Sequence, residues 1–109
     1  MPIRLGTDIV HIPRIVALLS NPTALSRIFT PAELKDKDPA HLAGILAAKE
    51  AVFKALDSSP RWHDVEVLSS PSGKPTARIS LEGKDVEGLE ISISHDGDYA
   101  VAMAIIIRS

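Results

Sequence analysis

The stretch Tyr99–Ile107 limits the folds open to this chain more than any other segment. At a period of two, Tyr99, Val101, Met103 and Ile105 point one way, and Ala100, Ala102, Ala104 and Ile106 the other. An antiparallel strand with one covered face alternates apolar with polar residues. This strand is apolar on both sides, so both sides need cover. Either helices cover one face and a partner subunit the other, or the strand is central in the fold, and the pattern leaves both open. With 109 residues, 45% of them apolar, the chain is expected to form one domain over residues 1–109. A core of that size is modest, which favours oligomerisation. Only 4% of residues are aromatic, so Ile, Leu, Val and Ala must build it.

The remaining elements follow from spacing and punctuation. Ile3–Val10 reads as a strand with Ile3, Leu5, Thr7 and Ile9 on one side and Arg4, Gly6 and Asp8 on the other. Pro13 suits the first turn of a short helix through about Leu19, stopped by Asn21-Pro22. Thr30-Pro31-Ala32-Glu33 is a capping-box start for a brief helix. The strongest helix signal runs from Pro39 to about Leu56, with Leu42, Leu46, Phe53 and Leu56 along one stripe and Asp57-Ser58-Ser59-Pro60 ending it. Asp64–Leu68 and Thr76–Leu81 flank a turn at Ser70–Pro75, and Leu89–Ser94 and Tyr99–Ile107 flank Asp96-Gly97. The expected class is α+β, one long helix packed on a small antiparallel sheet.

Composition removes several kinds of chemistry. The chain has no cysteine, which excludes a disulfide scaffold, thiol catalysis and Cys-ligated zinc. No apolar run approaches the roughly 20 residues of a membrane span, and Met1–Arg4 is not expected to begin a signal peptide, so a cytoplasmic protein without a membrane partner is expected. A formal charge of −2 with interspersed signs gives no nucleic-acid footprint. Gly-rich phosphate loops and Ser-centred elbows are absent from the sequence.

A few residues sit oddly in these patterns. Asp8 is a carboxylate near a strand end; it either caps the next helix or, with Gly6 beside it, marks a close approach. Lys49 fills the gap in the apolar stripe of the long helix, so its stem either covers the core while the ammonium reaches water, or its charge serves a neighbouring polyanion. Glu50 and Lys54 have the spacing of an ordinary helix ion pair. Beside Asp8, however, Glu50 would supply a second hard oxygen ligand, the set that Mg²⁺ takes when it also binds phosphates. His95 either closes a strand end on a turn backbone or binds phosphate or adenine.

Four segments in order go further: Gly6-Thr7-Asp8-Ile9-Val10; Leu42-Ala43-Gly44 leading into Ala47–Leu56; Val65–Leu68 followed by Ser72-Gly73-Lys74-Pro75; and Ile91–His95 followed by Tyr99–Ala102. Together they closely resemble the holo-[acyl-carrier-protein] synthases, the small bacterial phosphopantetheinyl transferases, over nearly the whole chain. The resemblance implies the fold of that family and Mg²⁺-dependent transfer of 4′-phosphopantetheine from coenzyme A to a serine of apo acyl carrier protein; Mn²⁺ is an alternative metal. It implies metal ligands at Asp8 and Glu50, with Lys54 as a third catalytic residue. Coenzyme A contacts are implied at Lys49, Lys54, Gly73, Lys74, Pro75, Ser94 and His95, and a carrier-protein docking residue at Arg14. It also implies a homotrimer with active sites between subunits, and leaves the general base open between Glu50 and a water on the metal. The chain departs from the family at Ile45, where an arginine is usual, at Asp57–Pro60, in the short stretch Glu82–Gly88, and in a first helix without the usual run of basic residues after Arg14. A docking protein without turnover, or an enzyme acting on a different nucleotide pyrophosphate, are the competing classes.

Overall fold

The computed structural model describes residues 2–56, 60–80 and 86–108. Strand β1 (Ile3–His11) runs straight into helix α1 (Ile12–Leu18), with Pro13 in its first turn. A second short helix, α2 (Pro22–Ile28), follows. Asn21-Pro22 was expected only to stop a helix; it also starts one, since the Asn21 side chain accepts the Ala24 amide and Pro22 occupies the first turn. A single 3₁₀ turn at Glu33–Lys35 precedes the long helix α3 (Pro39–Leu56), whose start is capped by Asp38 accepting the His41 amide. A further 3₁₀ turn, Trp62–Asp64, leads into the hairpin of β2 (Val65–Ser69) and β3 (Pro75–Ile79), and the chain closes with β4 (Val86–Asp96) and β5 (Tyr99–Arg108). Part of the expected strand end at Leu81 and of the stretches Asp57–Pro60 and Glu82–Gly88 lies outside the described residues.

The expected single sheet is two. One has order β1-β5-β4, antiparallel throughout, and the other is the β2-β3 hairpin. The last strand is central in its sheet, with β1 and β4 on either side; α3 covers one of its faces, and the other is exposed. The inward face of β1 and β5 is made of small residues: Gly6 pairs with Ala104, Asp8 with Ala102 and Val10 with Ala100. Above them α3 is buried on nearly all sides, with Ala43, Ala47, Ala48, Ala51 and Ala55 closed from solvent. The single apolar stripe expected for α3 understates this. An alanine-rich helix is thin enough for sheet, hairpin and α1 to close around it, and a helix apolar on all sides belongs inside.

Gly6 is the point of closest approach. A Cβ there would lie 1.8 Å from the Ala51 carbonyl oxygen and 3.1 Å from the Ala55 nitrogen. Both are helix backbone, so nothing can swing aside. We expect Gly6→Ala to lower unfolding free energy by about 3 kcal/mol or more, since α3 must lift off β1. Denaturant titration checks this, and a loss below about 0.5 kcal/mol would mean that the helix does not need this contact.

Candidate active site

The close contact at Gly6 drops α3 onto the residue two positions further along the same face of β1. That residue is Asp8. Lys54 reaches across from the helix, donating to the Thr7 carbonyl at 2.9 Å and to Asp8 Oδ1 at 2.9 Å. Glu50, one turn before Lys54, lies against the Asp8 carboxyl. Asp8 Oδ2 is buried and has no hydrogen-bond donor. Two carboxyls facing one another require either a shared proton or a cation. Glu50 is accordingly pushed up to about 7, by burial first and then by the Asp8 carboxylate, with Arg14 and Lys54 opposing. Burial also raises Asp8, but contact with Glu50 and Lys54 outweighs it and holds Asp8 below its ordinary value. Arg14, exposed on α1, adds positive charge at the rim. The structure thus brings Asp8, Glu50, Lys54 and Arg14 together. The unsatisfied oxygen beside a second carboxyl fits a hard divalent cation held by Asp8 and Glu50.

Lys49 goes elsewhere. Its side chain is fully buried, with Nζ donating to Glu33 Oε1 at 2.7 Å and lying 5.9 Å above the Phe29 ring. Neither expectation for this lysine, an ammonium in water or one facing coenzyme A phosphates, describes it. Burial pushes its ammonium below the usual lysine range, and Glu33 opposes that shift. Glu33 also accepts the Thr30 amide through Oε1 and the Val67 amide through Oε2. Thr30 in turn donates to Glu66, which accepts from Arg78. The sequence signal was present but divided: Lys49 at an apolar position calls for a buried acid, and the capping-box Glu33 supplies it while closing its own box through the Glu33 amide to Thr30 Oγ1.

The other expected residues lie around a groove of about 190 Å³ beside the first half of α3. His41, Gly44 and Ile45 from the helix line it, with Gly73 and Pro75 from the hairpin turn and His95 from β4. Gly73 holds φ at 88° in that turn, a conformation suited to glycine. Lys74 points away into solvent and approaches Glu90 at 3.6 Å. Ser94 is exposed and faces the opposite side of the sheet from His95, as strand alternation requires. His95 bonds not to a turn but to α3, its Nε2 meeting the Ala40 carbonyl at 2.9 Å.

Groove and carboxyl pair do not face one another. His41 and Glu50 are nine residues apart on α3, as are Ile45 and Lys54. At about 100° per residue, nine residues make two and a half turns, which puts the two sets on opposite sides of the helix.

Residues 4–104 match the 4′-phosphopantetheinyl transferase superfamily. The chain belongs to that family. A holo-[acyl-carrier-protein] synthase of Alkaliphilus metalliredigens is 43% identical over 116 residues, spanning 93% of this chain and 95% of the relative. That of Frankia alni is 39% identical over 109 residues, spanning 92% of each. The Helicobacter pylori synthase, solved in complex with coenzyme A, superposes with a TM-score of 0.86 at 32% identity, covering 94% of this chain and 99% of that one. The Bacillus anthracis synthase, in complex with CoA (3′,5′-ADP), gives 0.83 at 30% identity, covering 97% and 96%.

In this phosphopantetheinyl transferase, the raised value of Glu50 has a measurable consequence when divalent metal is removed. Its folded value of about 7 exceeds the ordinary 4.5, so the folded protein holds that proton more tightly. The resulting stability is full below pH 4.5 and is lost as pH rises through 7. We expect melting temperature in chelator to decline across that window, and Asp8→Asn to flatten the decline. A decline of equal steepness in the variant would show that Asp8 is not its source. Glu33→Gln should cost about 3 kcal/mol in denaturant titration by leaving the buried ammonium of Lys49 uncompensated; an unchanged midpoint would mean that Lys49 finds another partner.

Proposed function

We propose that the chain transfers the 4′-phosphopantetheine arm of coenzyme A to a serine of an apo acyl carrier protein, its single domain carrying the whole reaction. The serine hydroxyl gives up its proton to Glu50 or to a water as its oxygen bonds to the β-phosphorus, the bond from that phosphorus to the bridging oxygen breaks, and adenosine 3′,5′-bisphosphate leaves. The observation that carries this reading is the buried, donor-free Asp8 Oδ2 set against Glu50 and flanked by Lys54. Among the described residues no third His, Asp or Glu joins the pair as a metal group. Mg²⁺, or Mn²⁺ in its place, is suited to such a pair, because it takes one or two protein carboxylates and leaves its other positions to water and phosphate. When bound, such an ion neutralises charge on the pyrophosphate and its leaving group. Lys54, steadied by Thr7 and Asp8, keeps an ammonium beside the same charge. Arg14 offers the carrier protein a positive rim.

The groove of Gly73, Pro75 and His95 is the proposed seat of the nucleotide end; Lys74 extends from the same turn into solvent, and Ser94 lies behind the sheet. Lys49 has no place in it. Since groove and carboxyl pair face apart, a complete site is built from the groove of one subunit and the carboxyls of the next, as a homotrimer allows. The outward sheet face supports that assembly: Leu5 is 64% exposed, Ile3 59%, Ile9 57%, Met103 49% and Tyr99 47%. An apolar patch of this kind marks an interface. No described helix is long and apolar enough to cross a membrane.

Intact-mass measurement of an apo carrier protein incubated with this chain, coenzyme A and Mg²⁺ tests the reaction. We expect a gain of one phosphopantetheine that chelator abolishes, and Asp8→Ala or Glu50→Ala to reduce the rate by about 10² or more. Near-normal rates in either variant would overturn the metal assignment. Lys54→Ala should weaken coenzyme A binding, and unchanged affinity would make that lysine structural. Mixing inactive Asp8→Ala subunits with His95→Ala subunits, whose coenzyme A binding is weakened, should give more activity than either variant alone, because some mixed interfaces carry both intact halves; no gain would argue for sites within single chains.

A further inference from the structure

Gly44 sits in the interior of an 18-residue helix, where glycine is less favourable than alanine. Its position has no turn or positive φ to justify it. What it does have is a neighbour. A Cβ on Gly44 would lie 2.9 Å from Ile93 Cγ2 and 3.0 Å from His95 Nε2. That same Nε2 meets the Ala40 carbonyl at 2.9 Å, one helical turn before Gly44. A carbonyl can only accept, so Nε2 must carry the hydrogen. In the neutral ring this fixes one tautomer, and Nδ1 is the nitrogen left for a ligand. Both Gly44 and His95 line the groove.

We propose that Gly44 is a positioning residue for substrate binding: the missing side chain lets the His95 imidazole lie on α3, where the Ala40 carbonyl fixes its tautomer and directs it to the nucleotide end of coenzyme A. The inference rests on the groove being the coenzyme A seat. It differs in kind from the requirement at Gly6. There a side chain would strike helix backbone, whereas at Gly44 it strikes side chains: the tip of the His95 ring, which can swing away, and the Ile93 Cγ2 methyl, which has less room to move. Gly44→Ala should therefore fold, with a melting temperature equal to or above that of the parent because alanine favours the helix. It should displace the ring of His95.

The test joins a direct view of the ring with a binding measurement on the full chain. By ¹⁵N NMR, we expect the parent to show His95 protonated at Nε2 with that proton protected by the Ala40 contact, and Gly44→Ala to lose this protection. The Michaelis constant for coenzyme A should rise about tenfold in Gly44→Ala, with a smaller change in kcat. In a His95→Ala background the same substitution should add no further rise. An unchanged ring signature in Gly44→Ala would overturn the proposal, as would an equal rise in the Michaelis constant with or without His95. If the parent chain fails to bind coenzyme A by calorimetry, the proposed function fails, while the ring signature still reports whether Gly44 positions His95.

Discussion

The distance between α3 and β1 governs this molecule. Gly6 meets the backbone of Ala51 and Ala55 directly, and the alanines of β5 keep the rest of the sheet floor equally low. Dispersion and burial both reward such proximity, since close-packed small residues leave no void. The consequence is chemical as well as mechanical. With the helix this close to the strand, Glu50 and Lys54 fall within bonding distance of Asp8, a residue 42 positions from Glu50 in the chain. Larger side chains on either surface would separate the carboxyls.

The chain buries charge in two places and treats them differently. Around Lys49 the charge is met, with Glu33 accepting the ammonium and two backbone amides, and Thr30 and Glu66 extending the network toward Arg78. A buried pair of this quality joins α3 to the segments before it and to β2, and removing either partner would strand a charge. Around Asp8 the accounts are left open, with one carboxylate oxygen lacking any donor and a second carboxyl pressed against it. Adjacent residues on one helix thus meet opposite surroundings: Lys49 is paired inside the core, and Glu50 faces the like-charged Asp8. Satisfaction of hydrogen bonds separates the two sites more sharply than residue type does.

The groove and the carboxyl pair also divide along α3. Its first half offers Gly44 and Ile45 to the groove, and its second half offers Glu50 and Lys54 to the carboxyl site on the far side. A thin helix buried on nearly all sides can address two surfaces at once, while the outer face of β1 and β5 stays apolar and exposed.

Much of this was legible in the sequence because it depends on local periodicity and short spacing. The bounds of α3 follow from Asp38-Pro39 and the apolar run to Leu56, the two hairpins from their Gly73 and Gly97 turns, and the double-sided character of β5 from alternation alone. The carboxyl pair, Lys54 and the groove residues Gly73, Pro75 and His95 came from ordered motifs, which encode identity and spacing. Those motifs carried no direction for each side chain. Only the tertiary structure turned Lys49 inward to Glu33, put Ser94 behind the sheet from His95, divided the sheet in two and started a helix at Pro22 where a stop was expected. The physical reason is the same in each case. Where a side chain points, and whether its charge is met, depends on partners distant in the chain, and a sequence pattern records only neighbours a few residues apart.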